Sequence, residues 1–255
     1  MENALLVGLS RQVALARELD VVANNIANVN TTGFKADNAV FQEFLMPVAR
    51  ENRFNPSDRR LSFVEDRGIW HDFSQGSLRE TGGKLDVAIG GDGYFVVQTA
   101  AGERYTRNGS FQINSRGQLV TSDGSLVLGE NGPITFQQTD HSIAITSEGR
   151  VSVVEGSNTS NESLRGKLRL VSFAAPQRLL KDGANNFSAP GGMAPEPVRN
   201  PRLIQGSLEA SNVNAVGEMT RMIEITRTYT QIATLLQQQG ELRRTAIERL
   251  AEVPA

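Results

Sequence analysis

The two histidines of this sequence have side chains that could take part in metal binding or catalysis. A histidine can ligate a metal or act as a general base, but neither His71 nor His141 has a second histidine or a cysteine at ligand spacing. Each has an aspartate beside it, Asp72 and Asp140 respectively, which is typical of a turn. We therefore interpret both histidines as surface or turn residues.

Two other patterns could bind or act on a ligand. The run Gly90–Gly93 has the composition of a phosphate-binding loop, but such a loop needs a helix after it and here a strand-like segment follows, so we predict a hairpin turn. The adjacent carboxylates Glu65 and Asp66 lie in a polar, arginine-containing stretch, and we interpret them as solvated charges. The chain has no cysteine, which excludes disulfides and thiolate nucleophiles. We therefore predict a protein that is not an enzyme and that binds no metal, cofactor or small-molecule substrate.

The charge balance argues against nucleic acid as a partner. The chain carries 26 Lys and Arg against 28 Asp and Glu, and it has no block of five like charges. No stretch approaches the ~18 apolar residues that a membrane span needs. The N-terminus lacks the pattern of a cleaved secretory signal, because Glu2 replaces the basic region and Ser10 and Arg11 end the apolar run. Export would therefore use another route.

The elements that could position an interface lie at the two ends, which carry apolar stripes at helical spacing. We predict a helix over residues 1–30, which ends in an asparagine-rich stretch, and a second helix over 212–255. Because so narrow a stripe cannot offset the ordering entropy of a lone helix, each end needs the other end or a neighbouring molecule to pack against. The stripes comprise Leu5, Leu15, Leu19, Val22, Ile26 and Val29 at the N-terminus and Met222, Ile225, Tyr229, Ile232 and Leu236 at the C-terminus.

The sequence between the helices predicts short strands. Residues 85–190 alternate apolar and polar side chains, and glycine turns recur every seven to nine residues over much of this range, which indicates an antiparallel β domain. Residues 31–84 are polar with scattered aromatics and are predicted to form an extended connector with short strands. Residues 191–211 are rich in proline and glycine and are predicted to form a second connector. The fold class is therefore mixed and mainly β, with a central antiparallel β domain and a helix at each end.

Two segments of the sequence resemble family signatures. Residues 19–35, LDVVANNIANVNTTGFK, are similar to the N-terminal signature of the bacterial flagellar rod and hook proteins. Residues 206–223, GSLEASNVNAVGEMTRMI, are similar to the C-terminal signature of the same family. The strand-rich segments between them resemble the β domain of the rod proteins, so that the resemblance extends over most of the chain.

The resemblance implies a structural role in the flagellar basal body. The terminal helices would pair as a coiled coil inside a helical tube, with the β domain facing outward, and the assembled rod would transmit torque for motility. Its partners would be other rod subunits, further copies of itself and the flagellar type III export apparatus, through which it would pass without a cleaved signal peptide. Within the family the chain looks most similar to proximal rod subunits, and distal rod subunits are the alternative.

The resemblance and the stripes together define the predicted site residues. Asn24, Asn25 and Asn28 either bind amides where helices of adjacent subunits meet or form a simple helix stop. The turn and motif residues are Thr32, Gly33, Phe34, Asn212 and Val213. The predicted assembly interface consists of both stripes, these three asparagines and, on the C-terminal helix, Met219 and Ile223.

Two functions of other classes remain open from the residues alone. Strands and turns would also fit a secreted β-rich carbohydrate-active enzyme, which would need a cleft with paired acids and would keep its activity without the terminal helices. They would equally fit a surface adhesin or general interaction module, which would be a monomer with folded ends.

Overall fold

The computed structural model describes residues 2–46, 61–156 and 162–251, and within them the chain forms two compact units. Unit 1 comprises Met1–Ala27, Asp37–His71 and Asn214–Ala255, and unit 2 comprises Asn28–Ala36 and Asp72–Val213. The backbone passes between the units after residues 27, 36, 71 and 213. Each unit is therefore built from segments that are distant in sequence.

Unit 1 contains two helices and a two-stranded antiparallel ribbon. Its helices are α1 (Glu2–Ala27) and α2 (Ala215–Ala251), and its ribbon consists of β1 (Asp37–Met46) and β2 (Leu61–His71). Helix α2 begins where the Asn214 side-chain oxygen accepts a hydrogen bond from the Gly217 N–H at 3.1 Å, as an N-cap does. Both helices contain mostly residues that favour helix, and α1 ends at Ala27, within the asparagine-rich stretch 24–30.

The described residues of unit 2 form short strands and a 3-10 helix, Pro176–Arg178. Its strands are β3 (Leu78–Glu80), β4 (Val87–Ile89), β5 (Tyr94–Thr99), β6 (Gly102–Thr106), β7 (Phe111–Ile113), β8 (Leu119–Thr121), β9 (Leu126–Gly129), β10 (Gly132–Pro133), β11 (Asp140–Ile145), β12 (Arg150–Glu155), β13 (Glu162–Lys167), β14 (Leu170–Ser172), β15 (Leu180–Lys181), β16 (Asn186–Ser188), β17 (Glu196–Pro197), β18 (Leu203–Gln205) and β19 (Ser207–Glu209).

The strands of unit 2 form one large sheet and three small ones. The large sheet has the order β15-β16-β6-β5-β9-β8-β7, with β10 beside β9, β14 beside β5 and β17 beside β14. The small sheets are β11-β12-β13, β18-β4 and β19-β3. All the pairings are antiparallel, as glycine turns between short strands predict.

The core of unit 2 lies on both faces of strand β5. Phe95 and Val97 belong to one buried cluster, together with residues of β8, β9 and β12. Tyr94 and Val96 point to the opposite face and belong to a second, aromatic cluster that includes Phe187. A strand that is apolar on both faces explains why this segment reads as a continuous apolar run in the sequence.

The predicted fold class is confirmed in its main features, because the described chain is mainly antiparallel β with a helix near each end. One helix end and the content of two predicted connectors differ from the prediction. Helix α1 ends at Ala27, and residues 31–84 contain the ribbon β1–β2. Residues 191–211 contain β17, β18 and β19, because the short apolar pieces among the prolines and glycines complete sheets begun far earlier in the chain.

Two predictions about single segments were wrong. His71 is not a surface residue, because it is 8% exposed and its ring contacts Asp37. Gly90–Gly93 does not close a hairpin, because β4 pairs with β18 while β5 pairs with β6, β9 and β14. His141 is exposed on β11, and the side chains of Glu65 and Asp66 lie outside the described residues.

Candidate assembly interface

Helices α1 and α2 of unit 1 pack against each other in antiparallel orientation. Near one end of the pair Gly8 faces Leu236, and near the other end Glu18 accepts hydrogen bonds from the Arg221 guanidinium at 2.8 and 2.9 Å. A Cβ on Gly8 would lie 2.8 Å from Leu236 Cδ2, so the glycine permits the close approach. Val22 and Ile225 are buried within unit 1. The predicted stripes therefore supply the contact between the chain's own two helices.

The structure divides the predicted interface residues between two faces. Met219 and Ile223 are 51% and 68% exposed and point away from the α1-facing side, and Tyr229 is 38% exposed at its margin. Val29 follows the end of α1 and belongs to unit 2, and the side chain of Leu5 lies outside the described residues. The residues that are buried or half-buried on the helices are Leu15, Leu19, Val22 and Ile26 on α1 and Met222, Ile225, Ile232 and Leu236 on α2.

The asparagines at the end of α1 bind within their own chain. The buried Asn25 side chain donates to the Asp37 carbonyl at 2.8 Å and accepts from the Asp37 N–H at 2.9 Å. Asn24 is exposed and its amide lies 3.4 Å from the Asp37 carboxylate, which also contacts His71 Nδ1 at 2.6 Å. In unit 2, Asn28 accepts a hydrogen bond from the Thr31 hydroxyl at 3.1 Å. Asn25 thus fixes the start of the ribbon to the end of α1.

The turn after α1 brings the two signature segments together inside unit 2. The Gly33 N–H donates to the Glu209 carbonyl at 2.8 Å, and Gly33 has φ +68°. A Cβ there would lie 2.6 Å from the Arg107 carbonyl carbon, so only glycine fits. Asn212 accepts from the Ala36 N–H at 2.7 Å and donates to the Asp72 carbonyl at 2.8 Å.

The other predicted motif residues lie in the same region of unit 2. Phe34 is buried beneath Lys181, whose Nζ lies 4.0 Å from the ring centroid. The Thr32 carbonyl accepts a hydrogen bond from the Asn185 amide at 3.2 Å. The Val213 N–H lies 3.3 Å from the Ser211 hydroxyl, which accepts its hydrogen bond. These contacts are intramolecular and hold the signature segments in one conformation.

A buried ionic cluster, formed by Lys35, Arg107 and Glu209, underlies this junction, and we call it the signature cluster. Lys35 Nζ lies 2.6 Å from Glu209 Oε1, and Arg107 Nη1 lies 3.4 Å from Glu209 Oε2. The Gly76 N–H also donates to Glu209 at 3.0 Å. Burial lowers the pKa of Lys35, and the Glu209 carboxylate opposes that shift. Such a cluster is destabilised strongly when one member is removed.

Sequence reasoning missed the signature cluster, although a signal for it was present. Lys35 closes the N-terminal signature and Glu209 lies in the C-terminal signature, so two opposite charges stand in the two most distinctive segments of the chain. A charged residue usually lies on the solvated surface. Nothing in the local sequence shows that Lys35 and Glu209, which are 174 residues apart in the chain, meet in the folded structure.

Within the described ranges we find neither a group of three or more His, Asp or Glu residues placed to hold a metal nor a helix long and apolar enough to cross a membrane. The cavity of about 630 Å³ beside Phe73, Tyr94 and Arg107 lies in unit 2 and opens to solvent.

Three family models match segments of the chain. They are described as flagella basal body rod protein over residues 5–35, flagellar hook protein FlgE/F/G D1 domain over 88–153, and flagellar basal body rod FlgEFG protein C-terminal over 204–249. The first and third contain the two signature segments that meet in unit 2, and the second lies within the β structure.

Curated relatives are similar over nearly the whole chain. The flagellar basal-body rod protein FlgF of Caulobacter vibrioides is 42% identical over 256 residues, which cover 99% of this chain and 100% of the relative. FlgF of Mesorhizobium japonicum is 35% identical over 98% of each chain, and FlgG of Bacillus subtilis is 32% identical over 95% of this chain and 97% of the relative. The chain therefore belongs to the flagellar basal-body rod proteins, is of the FlgF type, and is a structural subunit of the flagellar rod.

Proposed function

We propose that this rod subunit occupies the proximal rod and joins it through the helices of unit 1. The observation that carries the assembly role is the apolar surface of α2 that the chain's own α1 leaves uncovered, with Val216, Met219 and Ile223 more than half exposed. The proximal position is supported by the full-length similarity to relatives named FlgF, while the similarity to FlgG keeps the distal rod as the alternative.

In this proposal α1 and α2 pair as a coiled coil in the assembled rod. The antiparallel contact, the small Gly8 against Leu236 and the Glu18–Arg221 ion pair support it. The half-buried stripe residues hold the two helices together, and the exposed Met219, Ile223 and Tyr229 face neighbouring subunits. The segments 1–30 and 212–255 then act as the axial part, and the residues around 85–190 as the β part that the family places outward.

We also propose how the chain reaches the rod. The flagellar type III apparatus exports it without a cleaved signal peptide, and α1 and α2 remain largely unfolded until they meet other subunits. The burial of unit 1 supports this order of events, because few of its described apolar side chains are buried. Delayed folding would prevent assembly before export.

The proposal assigns the chain no catalytic activity, nucleic-acid ligand or small-molecule substrate. A secreted carbohydrate-active enzyme remains a different prediction, because it would keep its activity on a polysaccharide after removal of both helices. Membership of a structural family supports the non-enzymatic assignment.

The experiment is deletion of the gene in its own organism, with swimming and electron microscopy of isolated basal bodies as readouts. We expect loss of swimming and a rod that stops before completion, with restoration by the unaltered chain. A stub that lacks only its outer part would favour the distal position. Normal swimming and complete basal bodies in the deletion strain would contradict the rod role in that organism.

A further inference from the structure

The ribbon of unit 1 carries exposed apolar side chains on one of its faces. In an antiparallel pair, residues that stand opposite each other share a face, so Trp70 beside Asn38 and Val40 beside Gly68 lie on the same side of the ribbon. Val40 and Trp70 are 43% and 44% exposed. Together they form an apolar surface, which we call the ribbon patch.

The opposite face of the ribbon is attached to α1. Asp37 and His71 alternate with the patch residues along the two strands and are buried. Asn25 of α1 forms two hydrogen bonds with the Asp37 backbone. Helix α1 also packs against α2, so the ribbon and α2 are both held by the same helix. The ribbon patch therefore points away from the contact that fixes the ribbon to unit 1.

A second exposed apolar surface of unit 1 lies on the first turns of α2. Val216, Met219 and Ile223 follow one another at steps of three and four, and they are 75%, 51% and 68% exposed. We call these three residues the α2 patch. Met219 contributes a flexible thioether, and a methionine sulfur packs favourably against an aromatic ring such as that of Trp70. The two patches are therefore matched in apolar character.

The polar groups of the two surfaces are also complementary. The Trp70 indole N–H donates no hydrogen bond to the part of the chain that the structure describes. The side chain of Glu224, which follows Ile223 of the α2 patch, is exposed and forms no ion pair with those residues either. An indole N–H can only donate a hydrogen bond and an ionised carboxylate can only accept one. A contact between the patches would therefore supply each group with a partner.

Both patches lie at the same end of unit 1. Asn25, near the end of α1, binds Asp37 at the start of the ribbon. Glu18 of α1 pairs with Arg221 of α2, and because the helices are antiparallel the first turns of α2 lie level with the last turns of α1. The ribbon patch of one copy can therefore meet the α2 patch of a neighbour at the same level, with both copies in the same orientation.

We propose that the ribbon patch of one copy packs side by side against the α2 patch of a second copy, with Trp70 as the anchor against Met219 and Ile223. The contact uses two different surfaces of the chain, so each copy offers its ribbon patch to one neighbour and its α2 patch to another. A heterologous contact of this kind generates a ring or an open helical assembly without inverting any copy. The inference rests on the proposed assembly through unit 1 and adds the surface that covers α2.

Crosslinking in isolated basal bodies tests the pairing of the two patches, because the natural chain has no cysteine. A chain carrying Val40→Cys and Met219→Cys replaces the natural chain in its own organism, and a short bis-maleimide crosslinker is added to the basal bodies. We expect linked dimers and longer ladders of the 27.7 kDa chain. The matched control carries Ile69→Cys and Met219→Cys. Ile69 is 40% exposed on the opposite face of the same ribbon, so this chain should give few links.

Chains that carry only one of the two cysteines test the geometry of the contact. Val40→Cys alone and Met219→Cys alone should give no dimers, because a heterologous contact does not bring a patch against its own copy. Equal linking in the test chain and the control, linking in the control alone, linking in neither, or dimers from a single-cysteine chain would overturn the proposal.

Replacement of the anchor supplies a second measurement on the same cysteine chain. Trp70→Ala should lower the yield of linked chains about tenfold, which corresponds to ~1.4 kcal/mol, and Trp70→Phe should keep more of the yield. Ile69→Ala is the control and should leave the yield unchanged. An unchanged yield with Trp70→Ala would overturn the role of Trp70. Failure of the rod role is distinct, because it shows as normal swimming of the deletion strain, whereas here the cysteine chains restore swimming before the crosslinker is added.

Discussion

The two units of the chain bury their apolar side chains to very different extents. Among the side chains of unit 1 that the structure describes, the buried apolar residues are Ala14, Val21, Val22 and Ile225, whereas unit 2 has two extended buried clusters on both faces of β5. Unit 1 also leaves much of α2 apolar and exposed. A region that buries its apolar side chains within itself can fold alone. A region that leaves apolar side chains exposed depends on neighbours to cover them. We therefore propose that unit 2 folds alone and that unit 1 folds on assembly.

The largest effect should come from the core of unit 2. Phe95 is fully buried and packs edge to face on Phe111 at 5.0 Å between ring centroids, so Phe95→Ala should lower the free energy of unfolding by about 3–5 kcal/mol. Urea unfolding followed by far-UV circular dichroism measures this. Ile113→Ala, at a position 39% exposed, is the control and should change stability by less than about 0.5 kcal/mol. Equal effects of the two changes would contradict the role assigned to this core.

The signature cluster should give the next largest effect. Glu209→Gln leaves the buried Lys35 ammonium without its carboxylate, and we expect a loss of about 3 kcal/mol in the same unfolding measurement. The matched variant Lys35→Met combined with Glu209→Gln should be more stable than Glu209→Gln alone, because one of the two buried cations left without a carboxylate, Lys35 and Arg107, is removed. If the double variant were the less stable of the two, the ionic account of the junction would be wrong.

The signature cluster should also make stability depend on pH. Burial lowers the pKa of Lys35 in the folded chain below its ordinary value of 10.5, so the unfolded chain binds this proton more tightly. The free energy of unfolding should therefore rise as pH increases toward 10.5. This contribution of Lys35 is lost as pH falls through the pKa of Lys35 in the folded chain. Urea titrations from pH 8 to 10 measure it, with Lys35→Met as the variant in which the contribution disappears.

A smaller effect is expected where α1 meets the ribbon. Asn25→Ala leaves the buried N–H and carbonyl of Asp37 without their partners, which should cost about 1–3 kcal/mol in unit 1. Trp70 is the single tryptophan and lies in β2, so its fluorescence reports this unit. Asn24→Ala is the neighbouring control at an exposed position, and a similar cost for both variants would argue against the special role of Asn25.

The smallest effect on the isolated chain should come from the outer face of α2. Ile223→Ala removes a side chain that is 68% exposed, so the free energy of unfolding should change by less than about 0.5 kcal/mol. In cells the same variant should reduce swimming, because the lost contact lies between copies. Thr230→Ala, at another exposed position of α2, is the control for a general effect of altering this helix.

Much of this organisation follows from local patterns in the sequence. Helical spacing predicted both terminal helices, and glycine turns predicted the antiparallel β structure, because these signals depend on neighbouring residues alone. The ribbon β1–β2 and the pairing of β18 with β4 were missed, since both join segments that are distant in sequence and carry no local mark of their partner.

The predicted assembly interface stays a prediction, and the structure adds the burial of its described side chains. Met219 and Met222 are three residues apart and therefore adjacent on the helix surface, so spacing alone could not predict that Met219 is exposed while Met222 is half-buried. The partners of Asn25 and Glu209 could not be predicted from the sequence either, because only the tertiary fold brings them together. The sequence predicted the segments, and the structure shows which of their described side chains are buried within the chain and which are exposed.

Hydrogen exchange of the full chain, free in solution and in isolated basal bodies, tests most directly the claim that unit 2 folds alone while unit 1 folds on assembly. We expect the amides of β5, β6 and β9 to be protected in both states. The amides of α1 and α2 should exchange rapidly in the free chain and become protected in the basal body. Equal protection of the helices and the β core in the free chain would contradict the account.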